Sequence, residues 1–202
     1  MSKGDTTRRT ILEHAFSLAT QVGLEGLSIG RLAQELGLSK SGLFAHFQSK
    51  EALQLQVIDF AAESFAESVA TPTLRAERGE PRVRALLENW MRWPETSGAR
   101  GGCFFVAASV ELDDRPGAPR DRLVELQREW IGFLARVARG GVTAGHFRED
   151  LDAEQFAYDL YGILLVTHQY RRLLGDPGAE ARARTAVDAL IRDAAAIPAA
   201  QA

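Results

Sequence analysis

The sequence is poor in cysteine and has no long apolar run. Its single cysteine, Cys103, cannot form a disulfide within the chain. The apolar segment GILLVT at residues 162–167 is far shorter than the roughly 20 residues that a membrane helix needs. The first residues, MSKGDTTRRTI, carry no apolar stretch behind their basic residues, so no secretory signal is expected. These absences predict a cytoplasmic protein without a membrane partner.

The motifs of common enzymes and metal sites are missing as well. The sequence contains no phosphate-binding loop, no G-x-G-x-x-G, no H-E-x-x-H and no cysteine cluster. Its histidines, at positions 14, 46, 146 and 168, lack the spacing of metal ligands. We therefore expect no enzyme, no metal and no cofactor. An enzyme of another kind, or a helical dimer that binds a small molecule without any DNA function, remains an alternative at this point.

Lysine is absent after residue 50. Residues 1–50 carry more Lys and Arg than Asp and Glu, although the whole chain has a net charge of −3. The remainder is therefore acidic. A weakly basic head on an acidic body is typical of a DNA-binding module joined to a partner domain.

Alternating strand patterns are also absent, and helical periodicity runs through most of the chain. Apolar residues recur every three or four positions, which predicts an all-α fold. The polar segment TPTLRAERGEP, residues 71–81, is predicted to be a loop. The predicted helices span residues 7–22, 29–36, 39–47, 49–69, 82–93, 104–112, 120–139, 153–174 and 178–196.

The stretch SIGRLAQELGLSKSGLFAHFQSKEAL, residues 28–53, predicts two very short helices. Ser28 and Ser39 are suitable N-caps, and Ser49 can cap the long helix that follows. Gly37 tolerates the left-handed backbone that a tight turn requires. A short helix, a glycine turn and a second short helix form a helix-turn-helix, which presents the start of its second helix to the major groove of DNA.

This stretch resembles the TetR family of bacterial transcriptional regulators. The family pattern is T-x-x-x-I-A-x-x-A-G-V-S-x-G-x-L-Y-x-Y-F-x-S-K-E-x-L, and the matching residues here are Ser28, Leu32, Ala33, Gly37, Leu38, Ser39, Gly42, Leu43, Phe44, His46, Phe47, Ser49, Lys50, Glu51 and Leu53. The resemblance is sharp over residues 7–60 and architectural over 80–196. It implies an N-terminal three-helix DNA-binding domain at 1–53, a fourth helix that links it onward to about residue 70, and a helical ligand-binding and dimerisation domain at 71–202.

The start of the second hairpin helix supplies the candidate DNA contacts. Sequence readout is expected mainly from Ser39, Lys40 and Ser41, with Lys50 on a phosphate. His46 can donate to a phosphate, accept from a backbone group or simply pack. Phe44 replaces a tyrosine that is frequent in the family and is expected to pack in the core. The predicted DNA-binding set is Arg31, Ser39, Lys40, Ser41, Gly42, His46 and Lys50.

The resemblance further implies a ligand pocket in the C-terminal helices and a dimer interface on the last two. The helix at 153–174 is apolar on more than one face, so it needs a second partner besides its own core. Packing within the core is the alternative for each residue, as it is for Cys103. The candidate pocket residues are Trp90, Phe104, Phe105, Trp130, Phe133, Tyr161 and His168. The candidate interface residues are Leu164, Leu165, Val187, Leu190 and Ile191.

These observations predict a dimeric, ligand-responsive transcriptional regulator. The predicted action is repression, released from a palindromic operator by a small apolar or aromatic ligand. The expected partners are double-stranded operator DNA, a small-molecule effector and a second copy of the chain.

Overall fold

The computed structural model describes the backbone of residues 3–196 and the side chains of residues 7–196. Within that range the chain is helical and contains no β-strand, as the periodicity predicts. Among the described residues two compact units are present: residues 3–66 pack with 93–126, and residues 67–92 pack with 127–196. Residues 93–126 thus belong with the N-terminal part of the chain. The functional division at about residue 70 stays a prediction.

The helices follow the predicted order. Their bounds are α1 (Lys3–Gly26), α2 (Ile29–Leu36), α3 (Lys40–Phe47), α4 (Lys50–Phe65), α5 (Thr71–Arg75), α6 (Glu80–Thr96), α7 (Phe104–Leu112), α8 (Ala118–Thr143), α9 (Ala153–Arg172) and α10 (Ala179–Ala194).

The predicted caps of the hairpin are confirmed. Ser28 Oγ accepts from the amide of Arg31 at 3.2 Å, and Ser39 Oγ accepts from the amide of Gly42 at 3.1 Å. Gly37 ends α2 in the left-handed region, at φ 64° and ψ 26°. Each hydroxyl satisfies an amide that has no partner in the first helical turn, so these short helices have defined starts.

The predicted loop at 71–81 is wrong over its first residues. After α4 the chain makes a π-helical turn, Ala66–Ala70, and continues into α5. Pro72 stands in the first turn of α5, where the amide that proline lacks would have no helical partner. Thr73 is buried and accepts from the side-chain amide of Asn89 at 3.2 Å, which holds this segment against α6.

The glycine pair at 140–141 does not end α8, which continues to Thr143. Gly141 is needed for close packing instead, because a Cβ there would lie 2.2 Å from the ring of Phe147. Gly141 therefore marks a tight contact with Phe147 and no helix stop.

Six aromatic rings form the core of the N-terminal unit. The Phe16 ring on α1 lies 6.3 Å from that of Trp93 and 5.6 Å from that of Phe104 on α7. Phe60, Phe65 and Phe105 complete the cluster. The neighbouring Cys103 is buried, and burial raises the pKa of its thiol to about 11. The thiol is therefore protonated at neutral pH, which fits a small core residue better than a redox sensor.

The C-terminal unit is built around α9 and α10, which pack on each other. Leu160 and Leu164 of α9 and Val187 of α10 are fully buried. Arg184 of α10 forms a paired contact with Glu88 of α6, at 2.7 and 2.9 Å, which raises the pKa of the arginine and lowers that of the glutamate. These ion pairs are exposed, so the buried apolar residues supply most of the stability.

Phe16→Ala should lower the free energy of unfolding by about 3–5 kcal/mol, because it leaves a cavity among several rings. The matched control is Phe44→Ala, since Phe44 is 54% exposed. That change should cost about 0.5 kcal/mol or less. Urea denaturation followed by circular dichroism measures both. Equal losses for the two variants would contradict this description of the core.

Candidate functional site

The second hairpin helix, α3, has one buried side and one exposed side. Leu43 and Phe47, four residues apart, are 0% and 1% exposed and anchor the helix. Lys40, Ser41 and Gly42 are exposed at its N-terminal end. The exposed side of the helix therefore presents small and basic residues to a partner, while the buried Leu43 and Phe47 fix its orientation.

Two glycines shape this exposed end. A Cβ at Gly30 of α2 would lie 3.1 Å from Cε of Lys40, so the lysine stem lies along α2. A Cβ at Gly42 would lie 3.1 Å from Ser39 Oγ, which is the cap of α3. Glycine at position 42 thus leaves room for the Ser39 cap and adds no side chain to the exposed surface of α3.

Ser39 and Ser41 are linked to each other, and Arg31 has a helical neighbour. The two hydroxyl oxygens are 3.3 Å apart, and Ser39 also accepts from an amide as the cap. Arg31 is exposed and lies 3.8 Å from Glu35, a weak surface pair. His46 is half-buried with its ring 6.2 Å from that of Phe47, so packing is part of its role.

Lys50 is exposed, but its ammonium group makes hydrogen bonds within the chain. Its ammonium donates to the backbone oxygen of Glu25 at 2.8 Å and to the Glu25 carboxylate at 2.9 Å. The hydrogen bond from Lys50, followed by one from Gln54, lowers the pKa of Glu25. Lys50 therefore ties the start of α4 to the end of α1, and only its remaining donor is available for a phosphate.

Phe44 is not a core residue, although the sequence predicts it to be one: its side chain is 54% exposed. The reason is helical geometry: Leu43 occupies the inward position, and the next residue points about 100° away from it. The exposed side of α3 therefore carries an aromatic ring next to Lys40 and Ser41.

The predicted pocket residues are distributed over both units. In the N-terminal unit, Phe104 is buried and Phe105 stacks on Trp93 at 5.7 Å. In the C-terminal unit, Trp130 and Phe133 stack at 5.5 Å, and Trp90 is buried. The predicted pocket residues thus include aromatic rings of each unit.

The two polar candidates differ in their surroundings. The hydroxyl of Tyr161 donates to Gln127 Oε1 at 2.9 Å, so its side chain is oriented across to α8. His168 is half-buried, and its pKa is lowered first by burial and then by Arg172 and Arg171. The imidazole therefore favours the neutral form, which suits an apolar setting.

Three predicted interface residues need correction. Leu164, Val187 and Ile191 are 0%, 0% and 5% exposed within a single chain. They pack α9 against α10, so a second protein cannot reach them. Leu165 is 36% exposed and Leu190 is half-buried, and these two remain accessible.

A different stripe of α9 faces outward. Tyr158, Gly162, Val166 and Tyr170 follow at four-residue spacing, and all are exposed. Together with α10 they line an apolar groove whose other residues include Ala186, Ala189 and Leu190. We call this surface the α9–α10 face. The four-residue spacing was visible in the sequence, but the neighbouring stripes are equally apolar.

The family of this chain follows from two matches. Residues 11–57 match the model described as "Bacterial regulatory proteins, tetR family", and residues 79–187 match "Tetracyclin repressor-like, C-terminal domain". The second match alone covers more than half of the chain. The chain belongs to the tetR family. The resemblance found at residues 28–53 is thereby confirmed.

Similar tetR-family proteins agree with this assignment. HTH-type transcriptional repressor DhaR of Mycobacterium sp. strain GP1 is 28% identical over 155 residues, which cover 74% of this chain and 76% of DhaR. Tetracycline repressor protein class C of Escherichia coli is 41% identical over 132 residues, 63% of this chain and 56% of the relative. A tetR regulator crystal structure from Chloroflexus aurantiacus has a TM-score of 0.87 at 26% identity, covering 96% of this chain and 98% of its own.

As a tetR-family member, the protein is a ligand-responsive, DNA-binding transcriptional regulator and no enzyme. In residues 3–196 no group of three or more His, Cys, Asp or Glu is arranged to hold a metal ion. No helix in the described part of the chain has the length and apolar content to cross a membrane.

Proposed function

We propose that the protein is a homodimeric repressor that binds a palindromic operator in the cytoplasm and leaves it when a small apolar or aromatic ligand binds. The observation that carries this proposal is α3, whose buried Leu43 and Phe47 hold an exposed N-terminal end rich in small and basic residues. That end fits the major groove. The name of DhaR, a transcriptional repressor, supports repression as the direction of control.

In this proposal residues 1–53 are the DNA-binding domain, and residues 71–202 bind ligand and dimerise. Lys40 and Ser41 read base edges, and Arg31 acts beside them from α2. Ser39 and Gly42 shape the capped end, whose backbone amides suit a phosphate. His46 contacts the DNA backbone from its half-buried position. Lys50 contacts a phosphate only with the donor that Glu25 leaves available.

Phe44 is added to this set. A ring on the exposed side of α3 cannot donate a hydrogen bond, and it gains most from an apolar contact. The apolar group that the major groove offers is the 5-methyl group of thymine. Phe44 therefore favours a thymine at one position of each operator half-site.

The ligand is proposed to be apolar or aromatic, because the candidate pocket residues are mostly rings. Trp93 adds a requirement. Its indole Nε1 is buried and has no hydrogen-bond partner among the residues that the structure describes. An unpaired buried donor is costly, so a ligand with an oxygen acceptor would be favoured there.

The α9–α10 face is proposed to bind a second copy of the chain. Gly162 stands in the middle of α9, and a Cβ there would meet open space. Glycine costs a helix about 1 kcal/mol relative to alanine, and no contact among the described residues requires it. Close approach of a partner helix would explain both Gly162 and the alanines of α10.

The thymine contact is tested by replacing operator thymines one at a time with uracil, which removes only the methyl group. At one position of each half-site the wild-type protein should lose about fourfold in affinity, the equivalent of about 0.8 kcal/mol. Phe44→Ala should bind the thymine operator more weakly and be insensitive to uracil at that position. Fluorescence anisotropy measures both. If Phe44→Ala keeps the full uracil effect, another residue makes the contact.

The dimer is tested with Val166→Arg, which places a charge on the α9–α10 face. Sedimentation at micromolar concentration should show a dimer for the wild type and a monomer for the variant, because an unpaired charge in an interface core is strongly unfavourable. Val110→Arg is the matched control, since Val110 is an exposed valine on α7. A wild-type monomer, or a Val166→Arg dimer, would contradict the proposed interface.

A further inference from the structure

The first helix is broken shortly before it reaches the hairpin. Gly23 has φ 76° and ψ 167°, so the helix stops and restarts there. The carboxylate of Glu111, at the end of α7, accepts the next two amides. Oε2 is 2.7 Å from the nitrogen of Leu24, and Oε1 is 2.7 Å from that of Glu25. The first amides of a restarted helix have no carbonyl partners within the helix. Glu111, which lies 86 residues beyond Glu25 in the sequence, accepts hydrogen bonds from two of these amides.

The backbone conformation of Gly23 and the lack of a side chain there both allow the contact with the Glu111 carboxylate. Its φ of 76° lies in the region that side chains rarely adopt. A Cβ at Gly23 would also lie 2.6 Å from Glu111 Oε1. The carboxylate therefore occupies the space that any larger residue at position 23 would need.

The contact continues from α1 to α4. The carbonyl oxygen of Leu24 accepts from Gln54 Nε2 at 2.8 Å, and Glu25 accepts from Lys50. Arg115, just after α7, lies 3.6 Å from the Glu25 carboxylate. Helices α7, α1 and α4 are thus joined at one place. From that place the chain runs through Leu27 directly into the cap of α2.

A second contact joins the other end of α7 to α1. The amide of Gly101, shortly before α7, donates to Thr20 Oγ1 at 3.0 Å. A Cβ at Gly101 would lie 1.8 Å from the backbone oxygen of Thr20, so only glycine permits this approach. The segment containing α7 therefore holds α1 on both sides of the break at Gly23.

We propose that Glu111 is a positioning residue for operator recognition. Its carboxylate fixes the break in α1 and with it the direction in which α2 and α3 leave the rest of the unit. A displacement of α7 would move the amides of Leu24 and Glu25 and so turn the hairpin. This inference rests on the proposed function, because it requires an operator that the hairpin recognises.

The test compares wild type, Glu111→Gln and Glu111→Ala on duplex DNA from the region upstream of the gene and on scrambled duplex of equal length. Gln keeps one acceptor oxygen and Ala keeps none. Affinity for the upstream DNA should fall about tenfold or more in the alanine variant and less in the glutamine variant. Affinity for scrambled DNA should stay unchanged, because phosphate contacts do not depend on the hairpin angle. Amide exchange at Leu24 and Glu25 should accelerate in the same order.

Glu129→Gln is the control, because it makes the same change of charge at an exposed position of α8. It should bind both duplexes like the wild type. A merely stabilising role for Glu111 would lower the melting temperature and leave the ratio of the two affinities unchanged, which would overturn the proposal. If the alanine variant does not fold, the proposal is tested with the glutamine variant, whose ratio of affinities for the upstream and scrambled duplexes should be lower than that of the wild type. A wild type that does not distinguish the two duplexes would instead refute the proposed function.

Discussion

The hydrogen bonds that Glu111 makes to the broken end of α1 join parts of the chain that are far apart in sequence. They are short, they involve a charged acceptor, and they satisfy amides that the break would otherwise leave unpaired. Because α2 begins only a few residues later, the orientation of the hairpin depends on this contact. The rest of the N-terminal unit supports it: Gln54 and Lys50 hold the same end of α1 from α4.

DNA recognition and regulation make opposite demands on such a structure. In the proposed mode of binding, the hairpin must be rigid so that its exposed residues meet base edges in register. A serine cap and two buried anchors fix α3 in place. Regulation requires that the hairpin as a whole can be displaced. A hydrogen-bonded break in a helix serves both demands, because the helices on either side stay intact while the angle between them can change.

Features set by local chemistry could be predicted from the sequence, whereas features set by distant contacts could not. The serine caps and the turn at Gly37 depend on residues within one helical turn, and they lie where the sequence predicts them. Leu164 and Val166 are both apolar residues of α9, and only packing against α10 decides that the first is buried and the second exposed. Likewise, no local pattern links Gly23 with Glu111. The family pattern helped most where the candidate DNA-binding residues lie close together in sequence.

The central claim, that this protein recognises one operator as a symmetric pair, is tested most directly by footprinting the purified wild-type protein on the DNA upstream of its gene. We predict a single protected segment containing an inverted repeat, with half-site centres about 34 Å or a multiple of that apart. Protection should be lost when one half-site is scrambled. Uniform, sequence-independent protection, or a protected segment without two-fold symmetry, would contradict the account.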